Sequence, residues 1–209
     1  RYLMPITRAI IMTWLGQDEI PTSVKTGRPA SESFIPGEPI FLGSREFFAG
    51  GANLAGVLER FGVNTTVVGC VGDDPAGQQI LESMKKAGLK TDSVQIRPSL
   101  RSGYNLALDL NHGERFYLYA EGASATLGWD CVAPGKVSAA DWLIVSMAPW
   151  TGLWRNGGQE LKRALETGKD KGLKTILDLA FPGGTSPAAC EDSRAVLKLC
   201  LPLCDLFSP

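Results

Sequence analysis

Residues 47–77 read FFAGGANLAGVLERFGVNTTVVGCVGDDPAG. The run opens on a glycine turn, Ala49-Gly50-Gly51-Ala52-Asn53. Two adjacent glycines let a backbone approach a ligand closely, because no side chain intervenes. Asn53 both donates and accepts hydrogen bonds, which suits a polyhydroxylated ligand. Leu54, Val57, Leu58 and Phe61 then recur at helical spacing, predicting an amphipathic helix with these four on its buried face. Gly62 is placed to end it in the left-handed conformation. The β-branched run Thr65-Thr66-Val67-Val68-Gly69-Cys70-Val71 predicts a strand buried on both faces, as in a parallel sheet. Asp73 or Asp74 caps a second helix that begins at Pro75. Ile80, Leu81, Met84 and Ala87 give that helix its buried face, and Gly88 closes it. Helix, strand, turn and helix at this spacing define an α/β domain.

Outward from this run the same alternation continues. Upstream, Ile10-Ile11-Met12-Thr13-Trp14-Leu15 predicts a first strand. Residues 21–39 carry four prolines and read as loop, and Ile40-Phe41-Leu42 as a short strand. Downstream, residues 94–97 alternate as a strand. Residues 104–110 and 114–120 flank Asn111-His112-Gly113 as a hairpin, with His112 a solvated residue at its tip. Its Phe116, Tyr117 and Tyr119 are packing residues or ligand-stacking ones. Residues 142–146 and 174–179 predict buried strands with a crossover helix at 158–167 between them. A helix over 193–201 and a final strand within 203–209 complete the order. Such repeats give right-handed parallel crossovers, whose ligands collect at the carboxyl ends of the strands. Asp178 ends one of those strands.

The totals narrow the function classes. The 209 residues are 44% apolar and 21% charged, ordinary for a globular protein, and a net charge of −1 gives no broad attraction to nucleic acid or anionic lipid. Five scattered cysteines without a CxxC pair, and a single histidine, argue against structural zinc and for packing thiols. Cys200 and Cys204 sit one helical turn apart on one face. No apolar run is long enough to span a bilayer, and Arg8 with the short apolar run after it lacks a cleavage site. A cytoplasmic location is the expectation.

Gly69, Val71, Gly72, Asp74 and Gly77 form GxVGxDxxG after a buried strand. Together with the glycine pair, Asn53 and a helix ending Phe-Gly, the chain resembles the ribokinase (PfkB) family of carbohydrate and nucleoside kinases over residues 40–209. The first motif departs from the family: a single residue, Ala52, separates the glycine pair from Asn53. The resemblance implies a ribokinase-like three-layer α/β sandwich with a mostly parallel central sheet and a small β-sheet lid. The whole of 1–209 is then one kinase domain without its C-terminal part, with lid strands at approximately 94–120 and 40–48. It implies ATP and Mg2+ as cofactors, a sugar or nucleoside as substrate, and a homodimer through the lid. Gly50, Gly51 and Asn53 are implied as substrate contacts. Asp18 is the candidate for the first-strand substrate carboxylate, against the reading of a solvated acidic turn. Asp178 stands where the family has Asp-x-Asn-x-Arg, here with Ala180 and Pro182, and either joins the phosphate and magnesium network through water or caps a loop.

No Gly-Ala-Gly-Asp turn, which in the family supplies the anion hole and the base, occurs in the sequence, so the base is expected beyond Pro209. A non-catalytic kinase-like association module is the alternative of another class. A dinucleotide-binding oxidoreductase is a third, since Gly69-x-x-Gly72 follows a strand, but GxGxxG is missing. The resemblance predicts no ATP-dependent sugar phosphorylation by residues 1–209 alone. Turnover by that purified polypeptide in a coupled ADP-release assay would refute the placement of the base.

Overall fold

The computed structural model describes residues 7–21, 45–109 and 115–209. In chain order the first strands are β1 (Arg8–Met12), β2 (Gly16–Pro21) and β3 (Arg45–Gly50). Helix α1 (Asn53–Arg60), β4 (Asn64–Gly72), α2 (Pro75–Lys86) and β5 (Val94–Arg97) follow. Next come β6 (Gly103–Asp109), β7 (Arg115–Ala120), the short α3 (Pro134–Ser138) and β8 (Trp142–Ser146). The chain closes with α4 (Arg155–Asp170), β9 (Lys174–Asp178), α5 (Ser193–Cys200) and β10 (Leu206–Ser208).

Six strands make one all-parallel sheet in the order β10-β9-β8-β1-β4-β5. The period of two along each strand feeds two separate cores. Ile10, Met12, Val68, Cys70, Leu143 and Val145 face one way, onto Leu161 and Leu165 of α4 and Val196 of α5. Ala9, Ile11, Val67, Val71, Trp142 and Ile144 face the other, onto Ala55 of α1 and Ile80 and Met84 of α2. Helix layers on both faces of a parallel sheet are the three-layer sandwich. Asp74 caps α2 with Pro75 at its first position, and Gly62 and Gly88 close α1 and α2 at φ of 82° and 80°.

A second, four-stranded sheet has the order β3-β2-β6-β7. β2 runs parallel to β6 and antiparallel to β3, and β6 and β7 form the expected antiparallel pair. The strand expected at 40–42 and His112, expected at a turn tip, fall outside the described residues. Among the described residues, no helix is long and apolar enough to cross a membrane.

Three expectations are corrected. Val94–Arg97 is not a lid strand. It lies parallel to β4 at the edge of the central sheet, because β4, α2 and β5 form one crossover unit. The lid draws its inner strand from 16–21 instead, so Asp18 lies in β2 and not in a solvated turn. Only half of the apolar stripe of α1 is covered. Ala52 and Ala55 are buried, whereas Val57 and Phe61 are 49% and 82% exposed. The helix meets the sheet through its small residues, which turns Val57 and Phe61 outward. The crossover helix, by contrast, is where it was expected: Asn156, Gly157 and Gly158 are left-handed, so the regular part of α4 starts after them.

These burials set unequal costs. Leu161→Ala should lose about 2–5 kcal/mol in urea unfolding. Phe61→Ser should lose no more than about 0.5 kcal/mol. Equal losses would mean that the outer face of α1 is covered in solution.

Candidate functional site

A cavity of about 900 Å³ opens between the four-stranded sheet and the loops that leave the carboxyl ends of β8 and β9. Its polar end is built by register. β2 and β6 pair so that Asp18 stands beside Asn105, and both line the cavity. Asn105 Nδ2 donates to Asp18 Oδ1 at 3.0 Å. Asn105 is only 6% exposed, and its Oδ1 has no hydrogen-bond partner among the described residues. Burial holds the Asp18 carboxyl above its ordinary value, with the Asn105 bond opposing. Together they present acceptor oxygens that a ligand's hydroxyl groups can satisfy.

The other wall is aromatic. Tyr119 packs on Trp150 with ring centroids 4.2 Å apart, and Trp14 lies 5.7 Å and 5.5 Å from them. The Tyr119 hydroxyl donates to the Trp150 carbonyl (3.2 Å), and Trp150 Nε1 donates to the Phe181 carbonyl (2.9 Å). These bonds tie lid strand β7 to the loops after β8 and β9. Tyr119 therefore both packs and faces the cavity, and burial pushes its hydroxyl above the ordinary range. Glu121 also lines the cavity and is ion-paired with Arg155.

The glycine pair has a different neighbour from the one expected. Trp14 is fully buried where the lid strands leave the core. A Cβ on Gly50 would lie 2.6 Å from its ring and would collide with the Asp18 carboxylate. A Cβ on Gly51, which sits at φ +78°, would collide with the Trp14 carbonyl. Gly50 thus presses against the back of Asp18, and Gly51 against Trp14. Asn53 is exposed as the first residue of α1 and is not on the cavity wall. Asp178 ends β9, accepts from Ser146 Oγ at 2.7 Å, and is likewise off the wall. Asn105, Glu121 and Trp150 went unread in the sequence. Asn105 shares the buried face of β6 with Ala107, which only the structure reveals.

The GxVGxDxxG run is scaffold for this site. Asp74 Oδ1 accepts from the Gly77 amide (2.8 Å) and the Ser102 hydroxyl (2.7 Å), and Oδ2 from the Ser102 amide (2.9 Å). The Gly72 amide donates to Ser102 Oγ at 2.9 Å. Ser102 immediately precedes β6, so this one carboxylate fastens the lid's entry to α2. Gly69, the other reading's dinucleotide glycine, lies inside β4, where a Cβ would lie 2.6 Å from Leu15 Cγ.

Residues 28–209 match the family model described as pfkB family carbohydrate kinase, and the chain belongs to that family. Its fold is shared with solved structures. The fructokinase from Xylella fastidiosa with bound ATP is 17% identical with a TM-score of 0.74, over 97% of this chain and 61% of that one. The ribokinase from Giardia lamblia is 17% identical with a TM-score of 0.72, over 96% and 57%. The Burkholderia thailandensis nucleoside kinase in complex with inosine is 17% identical with a TM-score of 0.67, over 95% and 59%. The chain spans about six tenths of the length of these structures.

Burial pushes the Asp74 carboxyl up, but the hydrogen bonds from Ser102 and Gly77 outweigh it and hold it below its ordinary value. A carboxylate lowered in the fold stabilises above its unfolded value of 3.8, and that stability is lost as pH falls through the folded value. Asp74→Ala should therefore cost about 1–3 kcal/mol at pH 7. The cost should shrink below pH 4 in urea melts; a loss that does not change with pH would deny the clamp.

Proposed function

We propose that the full-length protein transfers the γ-phosphoryl group of ATP to a hydroxyl of a sugar or nucleoside, and that the cavity beneath the small sheet holds that acceptor. The observation that carries the reading is the Asp18–Asn105 pair. A desolvated carboxylate and a buried amide oxygen with no partner among the described residues are costly to bury, and adjacent hydroxyls on a ring can donate to both. Membership of the pfkB family supports the reaction class. A fructokinase of the same fold that carries ATP, and a nucleoside kinase that carries inosine, support the two ligands.

In this reading Asp18 orients the acceptor, and Gly50 has no side chain because the carboxylate occupies that space. Gly51 and Asn53 are proposed to contribute from behind, by shaping the start of α1. The sheet of β2, β3, β6 and β7 is the lid. It excludes water, so that the phosphoryl group passes to the substrate rather than to solvent. Among the described residues no cluster of three potential metal ligands exists. Asp178 is proposed to reach the phosphate and magnesium network through water. The base is proposed to lie outside residues 1–209. The outward side chains of β7, with Leu118 57% exposed, are proposed to meet a second copy of the lid.

Calorimetry with fructose, ribose and inosine tests the pocket. At least one should bind, and Asp18→Asn should weaken it by roughly tenfold or more. A carboxyl raised in the fold confers stability only at low pH, and that stability is lost as pH rises through the folded value. Asp18→Asn should therefore raise the Tm at pH 7 by about 1–4 °C. Unchanged binding in the variant, or binding of none of the three, would remove the pocket from the substrate path.

A further inference from the structure

The cavity under the small sheet extends beyond its polar end, and the extension has a different chemistry. Asp18, Asn105 and Tyr119 are consecutive partners across β2, β6 and β7, so they form one row on the cavity wall. Tyr117 stands two residues from Tyr119 on β7, on the same face, and lines the cavity too. Strands about 4.8 Å apart, with a rise of about 3.4 Å per residue, put the Tyr117 backbone roughly 12 Å from that of Asp18. One monosaccharide ring held by Asp18 and Asn105 leaves part of that span unfilled.

The far end is aromatic and bare. Tyr117 is 53% exposed, and Phe181, on the loop after β9, is 80% exposed, yet both line the cavity. The bond from Trp150 Nε1 to the Phe181 carbonyl holds that loop against the wall. Large apolar rings left in water beside a cavity are unfavourable until a flat group covers them. Charge is just as one-sided. The wall carries two carboxylates, Asp18 and Glu121, and among the described residues no lysine, arginine or histidine lines it. Arg155, which pairs with Glu121, is not on the wall. A carboxylate or phosphate on a ligand would meet acidic groups there and no cation.

We propose, on the reading of this cavity as the acceptor site, that the acceptor is a nucleoside: a hydroxylated ring whose hydroxyls meet Asp18 and Asn105, bearing a flat, uncharged base that stacks on Tyr117 and Phe181. A free sugar fills only the polar end. A sugar acid or sugar phosphate is repelled by the two carboxylates. Stacking tolerates any base, because each offers a π face, so the two rings select the class of acceptor and not one member of it. Tyr117 and Phe181 are then specificity-determining residues, and the Asp18–Asn105 pair serves every hydroxylated ring alike.

Calorimetry on the full-length protein with inosine, ribose and gluconate tests the assignment. Inosine should bind at least roughly tenfold more tightly than ribose, and gluconate more weakly than ribose. Tyr117→Ala and Phe181→Ala change exposed side chains and should melt as the parent does. Each should weaken inosine by roughly tenfold and narrow its lead over ribose. Asp18→Asn should weaken inosine and ribose together. Ribose or gluconate binding as tightly as inosine, or inosine affinity unmoved by both alanine variants, would overturn the nucleoside assignment, while a persisting Asp18→Asn effect would keep the acceptor site in place. Loss of the Asp18→Asn effect would remove the site itself, and the assignment with it.

Discussion

One indole fixes where the two sheets join. Trp14 is fully buried at the end of the first core strand, and the lid strands start around it. Gly16 opens β2, Gly50 ends β3, and Gly103 opens β6. A Cβ on any of the three would lie within van der Waals contact of the Trp14 ring: 2.6 Å for Gly50 and 2.7 Å for Gly103, with Gly16 closer still. An interior packed near crystal density leaves no slack for them. Ring and glycines are therefore one unit: the side chains that the glycines lack are replaced by the one that Trp14 supplies. Tyr119 and Trp150 extend that unit to the cavity wall. The lid's angle to the core is set by this stack and by Asp74, which fastens the chain just before Gly103.

The central sheet was legible because its signals are local. A β-branched run flanked by glycine, proline and acidic caps has one physical reading, and residues 64–88 adopt it. Strands 142–146 and 174–178 were equally plain, since they are short apolar runs between helical stripes. The lid was read only in part. β6 and β7 announce themselves as a hairpin, but β2 does not, for it reads GQDEIP and borrows its place from its neighbours. Polar strands of this kind are held by pairing on both sides, and that pairing is not visible along one chain.

The candidate site was less legible than the fold, and for a related reason. The glycine pair suggested a backbone bared to a ligand. The same absence of side chains serves a tryptophan thirty-odd residues upstream in sequence, which only the tertiary structure reveals. The acidic motif reads as a helix cap, and Asp74 is that cap, but its bonds to Ser102 at the entry of β6 are invisible along the chain. Repeated glycines and capping acids record what a backbone needs at that spot. Side chains that meet a ligand carry no such local requirement, so single residues such as Asn105 and Trp150 look unremarkable until the topology gathers them.

The polar end of the cavity depends on a register rather than a motif. β2 is a central lid strand paired parallel to β6, and that pairing sets Asp18 across from Asn105. Side chains alternate faces along a strand, so a shift of one residue would send Asp18 to the opposite face and put Gln17 or Glu19 in its place. Two constraints forbid the shift. Gly16 must meet the Trp14 ring, and Gly50 must lie opposite Gly16 to leave room for both the ring and the carboxylate. The packing that makes the glycines obligatory is thus what holds a desolvated carboxylate against the Asn105 amide nitrogen, whose companion oxygen has no partner among the described residues. The core stabilises an arrangement that the two polar groups would not adopt alone.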